Sequence, residues 1–422
     1  MRLNRSLNKL KNRTVDINNE ITTTVQKIIA NVRESGDVAL RRYAVMFDGY
    51  AGKSLLVTED EMKEALERVD EDFRRILIKA REQIAEYHNN QVEKSWSMYK
   101  DDGSQMGQIV RPLNNVALYV PGGTAIYPSS VLMNAIPAQI AGVKNISMFT
   151  PVKGNGKVSD EILAAAACCG VRTIYKVGGA QAIAAAAYGT ETISKVDKIV
   201  GPGNAYVSAA KRLVYGDVDI DMIAGPSEIL IIADENANPK YVAADLMSQA
   251  EHDEHSSAIL VTTSESLISA VESEITRQIT SLDRRKTIEA SLSNCGAAIH
   301  VPTLDRAFEL SNEIAPEHLE ILTADPMEHL PKVQNAGSIF LGEYTPEPLG
   351  DYMSGTNHVL PTGGTAKFSS PLGVYDFIKR SAYSYYPKKA LFELSRDIMT
   401  FAKLEGLDAH ANSIKVRFEK KR

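Results

Sequence analysis

Apolar positions along this chain follow two periods, and the change from one to the other divides it. From about Asn18 to Gln91 they recur at helical spacing: Ile28, Ile29, Val32, Val38 and Leu40, then Phe73, Ile76, Leu77, Ala80 and Ile84. Gly36 is expected to break the first helix. Thr58-Glu-Asp-Glu61 reads as a capping box that opens a helix through Leu66. After Val116 short apolar runs take over: 116–120, 146–149, 174–177, 198–200, 229–232, 258–261 and 297–301. Helical stretches near 127–142, 159–169, 179–188 and 204–215 separate the first of them. Strand–helix alternation of this kind implies βαβ units and parallel sheets. Right-handed crossovers then gather the loops after the strands on one sheet edge. The sheet pattern breaks near 116–120 and restarts near 227–235, so one lobe is expected to be inserted into the other.

The loops after these runs are rich in glycine: Pro121-Gly-Gly123, Gly178-Gly179, Gly201-Pro-Gly203, Gly225-Pro226 and Gly363-Gly364. Glycine turns let backbone N–H groups approach a phosphate, and they also serve as plain tight turns. No standard dinucleotide fingerprint is present, because Gly201-Pro-Gly203 continues to Tyr206 where a third glycine is needed. Gly52-Lys-Ser54 has Phe47 where a phosphate loop has its upstream glycine. A nucleoside-triphosphate enzyme is therefore unsupported, and a dinucleotide site has to be non-standard.

One stretch concentrates polar chemistry. Asn238 can cap a helix with Pro239 in its first turn, and Val242, Leu246 and Ala250 mark the buried edge. Gln249 and His252, three apart, point at one spot, which suits a metal ion or a polar substrate and equally a satisfied buried pair. Elsewhere, Glu317-His318 follows a proline at the mouth of an apolar strand, where the two side chains can serve proton transfers from different directions. Asp351 follows a glycine, exposed for ligation. His410 lies near the C-terminus in Glu405-Gly-Leu-Asp-Ala-His410.

Composition narrows the class. With 422 residues the chain exceeds one typical domain, and 44% hydrophobic with 24% charged residues is ordinary for a globular protein. A net charge of −6 gives no attraction to nucleic acid or anionic membrane. The basic N-terminus (Arg2, Arg5, Lys9, Lys11, Arg13) lacks the apolar core of a secretory signal, and no run is long enough to span a bilayer. A cytoplasmic location is expected, with no nucleic-acid and no membrane partner. Cys168, Cys169 and Cys295 are too few for a disulfide framework and read as small buried hydrophobes.

Taken together, the motifs resemble those of histidinol dehydrogenase, over roughly Val38 to Val416. The likeness rests on Leu118-Tyr-Val-Pro-Gly-Gly-Thr124, Val177-Gly-Gly-Ala-Gln-Ala-Ile183, Lys198-Ile-Val-Gly-Pro-Gly-Asn204, Asp221-Met-Ile-Ala-Gly-Pro-Ser-Glu228 and Ser248-Gln-Ala-Glu-His252. Ala315-Pro-Glu-His-Leu-Glu320, the run from Gly350 to Thr362 and Glu405-Gly-Leu-Asp-Ala-His410 complete it. The resemblance implies a zinc- and NAD-dependent oxidation of L-histidinol to L-histidine through L-histidinaldehyde, using two NAD. It implies one zinc ion per subunit, held by Gln249, His252, Asp351 and His410. Substrate contacts carry over to Ser227, Gln249, His252, His318, Asp351, Glu405 and His410, and NAD contacts to Tyr119, Gln181 and Asn204. Glu317 is implied to activate water and His318 to act as general base. In the family, Glu405 and His410 reach the site from the other subunit of a homodimer.

The implied fold is α/β, with two Rossmann-like lobes of parallel sheet, aldehyde-dehydrogenase-like, and helical N- and C-terminal segments used in dimerisation. The expected division is an arm over 1–17, a metal and substrate lobe over 18–118 and 230–370, an inserted NAD lobe over 119–229, and a C-terminal segment over 371–422. His255, one turn past His252, reads as a polar loop residue. Two rivals stand beside this reading: an aldehyde dehydrogenase with a cysteine nucleophile, and a non-catalytic zinc- or imidazole-binding protein.

Overall fold

The computed structural model describes residues 19–52, 54–122, 126–152 and 156–419. The expected arm at 1–17, and Lys53, Gly123, Thr124 and Gly154-Asn155 of the glycine loops, lie outside the described residues. The chain opens with helices Asn19–Asp48, Glu59–Arg68 and Glu71–Asn89. Gly36, with φ 47° and ψ −127°, interrupts the helical geometry of the first, as its sequence implies. The capping box forms: Glu61 N–H donates to Thr58 Oγ1 at 3.1 Å, and Thr58 N–H donates to Glu61 Oε2 at 2.8 Å.

Two strands follow, β1 (Trp96–Tyr99) and β2 (Gln105–Pro112). The first parallel sheet is built from β3 (Asn115–Tyr119), β4 (Asn145–Phe149), β5 (Thr173–Tyr175), β6 (Lys198–Val200) and β7 (Asp219–Ile220), in the order β5-β4-β3-β6-β7. The second contains β8 (Glu228–Ala233), β9 (Ser257–Thr262), β10 (Ala297–His300), β11 (His318–Leu322) and β12 (Ser338–Leu341), in the order β10-β9-β8-β11-β12. Every residue of β8 and β9 is buried, because helices cover both faces. In each sheet the winding reverses beside the first strand, so β3/β6 and β8/β11 are the switch points where ligand crevices form.

The lobe assignment differs from the expected one. The N-terminal helices pack on the β3–β7 sheet, not with 230–370. Val25, Ile28, Val32 and Leu40 share a core with Tyr119, Ile183 and Ile199 on one face of that sheet. Leu77, Ala80 and Ile84 share a core with Leu118, Met148 and Leu132 on the other. Val359, Leu372 and Phe377 return to that second core as well. An amphipathic helix has one apolar stripe and needs a partner surface, and the small β3–β7 lobe has two faces to cover. The expected boundary at 118/119 falls inside β3, and the passage between sheets is the segment 221–227.

A separate compact unit comprises Glu93–Pro112 and the chain from Ile378 onward. Its sheet is antiparallel, β1-β2-β13, with β13 spanning Ile378–Tyr385. Helices Lys388–Leu404 and Asp408–Lys415 complete it. The C-terminal segment expected from 371 therefore starts at 378 and includes two strands from much earlier in the chain. Among the described residues no helix is long and apolar enough to cross a membrane.

The loop after β6 is pinned by a buried ion pair. Lys211 and Asp221, with side chains only 2% and 1% exposed, pair directly, and Lys211 Nζ also donates to Gly201 O at 3.1 Å. Asp221 Oδ2 accepts the Gly201 N–H at 2.7 Å. Gly201 has φ 111°, and a Cβ there would stand 2.1 Å from Tyr119 O, so only glycine fits. Lys211→Met leaves Asp221 charged and buried. It is expected to cost about 3–5 kcal/mol in denaturant unfolding, and a loss below about 1 kcal/mol would show the pair to be dispensable.

Candidate active site

Two adjoining cavities occupy the switch points. The larger, about 790 Å³, lies at the C-terminal ends of β3, β4, β5 and β6 and is lined by Tyr119, Pro151, Gly179 and Asn204 among others. The smaller, about 290 Å³, lies at the N-terminal ends of β8 and β11, lined by Ser227, Glu317 and His318. Pro121 and Tyr127 line both and form a shared wall. Only the larger cavity occupies the sheet edge that the crossover rule indicates. The smaller one opens on the opposite edge of its sheet, where the loops of the first lobe reach it through Pro202 and Gly203.

The local sequence explains how each side chain is held. Asn238 accepts the Lys240 N–H at 3.0 Å and starts helix Pro239–Ala250. The helix buries Val242, Leu246 and Ala250, which carries Gln249 inward to 1% exposure. His252 lies just beyond the helix end, in a turn where its N–H donates to Gln249 O at 3.2 Å. Both side chains still reach the small cavity. Asp351 comes from helix Glu347–Tyr352, which starts where Pro346 and Pro348 end the preceding loop. His255, by contrast, is exposed beside Glu254.

Glu317 and His318 are anchored by one residue of the neighbouring strand. Glu228 N–H donates to Glu317 Oε2 at 2.8 Å, and Glu228 O lies 2.9 Å from His318 Nδ1. A carbonyl only accepts, so Nδ1 carries the proton and Nε2 keeps a free lone pair. Burial pushes the His318 pKa down to about 4, which keeps the ring neutral at neutral pH. Burial pushes the Glu317 carboxyl well above its ordinary range, and the Glu228 N–H opposes that rise.

Several further side chains belong to the site. Glu347 lines the cavity, its Oε1 3.8 Å from His318 Nε2, and burial followed by the nearby Asp351 charge raises its carboxyl. His358 lies 3.6 Å from Asp351 and 3.2 Å from Ser130 Oγ, and burial holds its pKa down. Glu320 accepts the Glu347 N–H at 2.8 Å. Glu347 had a sequence signal: a carboxylate four residues before Asp351, between two prolines. His358 and Glu228 sit inside the quoted motifs without a spacing that marks them.

The placement of the candidate residues is plain. Ser227, Gln249, His252, Glu317, His318 and Asp351 converge on the small cavity. Tyr119, Gln181 and Asn204 converge on the large one. Glu405 and His410 belong to the second unit, where both are exposed.

The donor set fits a divalent cation. Among the described residues no lysine or arginine lines the small cavity, whereas Glu317, Glu347 and Asp351 do. Gln249 Oε1 is buried with no hydrogen-bond partner. His318, Glu347 and Asp351 bring ligand-type atoms within 4.8 Å of one another. That trio overlaps the expected ligands only at Asp351. His318 is the less suited member, since its free Nε2 is the base the site offers, whereas the orphaned Gln249 oxygen lacks any other partner. The large cavity fits a dinucleotide: the helix Gly179–Tyr188 presents its N-terminus there without a side-chain cap, as anion sites do.

A family model described as Histidinol dehydrogenase matches residues 11–418. The histidinol dehydrogenase of Lactococcus lactis is 61% identical over 413 residues, 97% of this chain and 96% of the relative. That of Clostridium acetobutylicum is 58% identical over 410 residues, 97% of this chain and 95% of the relative. The crystal structure of histidinol dehydrogenase from Elizabethkingia anophelis matches with a TM-score of 0.93 at 38% identity, covering 98% of this chain and 96% of that one. Fold and site define a two-lobed α/β oxidoreductase. More narrowly, the chain belongs to the histidinol dehydrogenase family, the oxidoreductases of histidine biosynthesis.

A cysteine nucleophile has no place in this geometry. None of the three cysteines lines either cavity, and burial raises the Cys168 and Cys169 thiols, which disfavours thiolate. Replacing all three with alanine or serine is expected to leave turnover intact. Lost turnover in a folded variant would put a cysteine in the chemistry.

Proposed function

We propose that this chain oxidises L-histidinol to L-histidine through L-histidinaldehyde, with two NAD used in turn and one zinc ion per subunit. The observation that carries this reading is the convergence of Ser227, Gln249, His252, Glu317, His318 and Asp351 on one small cavity beside a larger one. Gln249, His252 and Asp351 would hold the zinc, with the partner subunit's His410 as fourth ligand and the partner subunit's Glu405 at the substrate. Tyr119, Gln181 and Asn204 would contact NAD. A homodimer is supported by the apolar surface of helix Lys388–Leu404, where Phe392, Phe401 and Leu404 are exposed.

Zinc, when bound, would supply Lewis-acid polarisation and orientation of the substrate, and NAD, when bound, would accept hydride. The remaining chemistry falls to protein side chains. His318 Nε2 takes the hydroxyl proton as hydride leaves the alcohol carbon. Its neutral ring, fixed by the Glu228 carbonyl, is in the right tautomer beforehand. Glu317 then takes a proton from the water that adds to the aldehyde, and its raised basicity suits that task. His318 gives its first proton to the aldehyde oxygen as that water adds, and then takes one from the hydrate as the second hydride leaves; the carboxylic acid so formed, Glu317 and His318 release their protons to solvent, which leaves the carboxylate. One buried site for both oxidations keeps the aldehyde from solvent.

Glu317→Gln separates the two steps. It keeps the hydrogen bond from Glu228 but cannot accept a proton. Oxidation of L-histidinaldehyde is expected to fall about 10²–10⁴-fold, as for loss of a general base, with a smaller loss in alcohol oxidation. Single-turnover NADH formation from each substrate measures both. Equal losses would contradict the assignment of Glu317 to water.

A further inference from the structure

Among the described residues the larger cavity has one carboxylate, and none of the motifs includes it. Asp48 ends helix Asn19–Asp48 and lines that cavity with Tyr119, Gly179 and Gln181. Its Oδ2 is buried, and no hydrogen-bond partner reaches it among the described residues. Burial alone lifts its carboxyl to about 6, so the fold holds this acid at a cost.

Two polar groups beside it already act as acceptors within the fold. Tyr119 Oη accepts the Gly179 N–H at 2.9 Å. Asn204 Oδ1 accepts from Tyr206 N–H at 3.0 Å and Val207 N–H at 3.1 Å, capping helix Ala205–Val214. Among the described residues no lysine or arginine lines the cavity. Asp48 Oδ2 is thus a buried acceptor without a donor, and no described residue of the cavity supplies a cation. A neutral donor, such as a vicinal diol, completes it, and an added phosphate would meet like charge with nothing to balance it.

We propose that Asp48 accepts hydrogen bonds from a ribose diol of the dinucleotide and selects against a ribose carrying a phosphate. The proposal rests on the reading of the larger cavity as the dinucleotide site. In standard dinucleotide folds an acidic residue within the same βαβ unit takes the ribose hydroxyl. Here the acid arrives from a helix that precedes the sheet, consistent with a chain that lacks the usual glycine fingerprint. Asp48 is a binding and selectivity residue and takes no part in proton transfer.

The test uses the full chain and reads binding. NADH and NADPH affinities are measured by nucleotide fluorescence for the parent, Asp48→Asn, Asp48→Ala and Gln181→Leu, with Tm recorded for each. Asp48→Ala is expected to weaken NADH about tenfold or more, the scale of a lost hydrogen bond to a charged group. NADPH is expected to bind no worse, so the preference for NADH shrinks, and Tm stays level or rises. Asp48→Asn, nearly isosteric, is expected to follow the same direction. If Gln181→Leu weakens NADH while neither Asp48 variant does, Asp48 has no such role and the cavity reading stands. If all three variants bind NADH as the parent does, the cavity reading itself fails and takes the proposal with it. Equal weakening of NADH and NADPH with a lowered Tm would mark Asp48 as structural and overturn the proposal.

Discussion

Carboxylates crowd the small cavity, and among the described residues no lysine or arginine lines it. Glu228, Glu317, Glu320 and Glu347 are all buried there or just behind it. Each of three is tied to a backbone N–H: Glu317 by Glu228, Glu320 by Glu347, and Glu228 by Gly363 at 3.3 Å. Burial raises Glu317, Glu320 and Glu347 together. Acids are seldom buried in such numbers without a partner charge, and a site of this kind favours a divalent ion with nitrogen and oxygen ligands. Desolvation keeps His318 neutral against the opposing pull of Asp351. The site's acid–base character and the fit of its donor set to a cation have one physical source, burial.

The architecture brings that site beside the larger cavity by opposing two unlike sheet edges. The C-terminal edge of β3–β6 supplies glycine loops, and the N-terminal edge of β8 and β11 supplies the acid and the base. The loop after β6 serves both, since Pro202 and Gly203 line the small cavity and Asn204 the large one. Asp221 holds that loop through the Gly201 N–H and Lys211. From Asp221 the chain runs directly through Ser227 into Glu228, so one short segment sets the loop, part of the small cavity's wall and the anchor of His318.

Much of this was legible in the sequence. The strands from 116–120 to 297–301 appear as apolar runs because both sheet faces are covered, so burial is continuous along them. The helix at Asn238 and the capping box at Thr58 were legible because local hydrogen bonds fix them. β1 and β2 were not, because every residue of β1 is exposed and β2 shows no clear alternation. The partner of the N-terminal helices was also illegible: periodicity marks an apolar stripe but not the surface it covers. The edge carrying the small cavity, and the roles of Glu228, Glu347 and His358, depend on contacts between distant segments. Resemblance supplied the candidate residues, and only the fold shows which of them converge.

The most direct measurement is the yield of NADH per L-histidine, with zinc-loaded protein, L-histidinol and excess NAD. Oxidation through both steps at one site predicts two NADH for each histidine formed, with no free aldehyde accumulating. One NADH per L-histidinol consumed with aldehyde released, or no NADH at all, would contradict it.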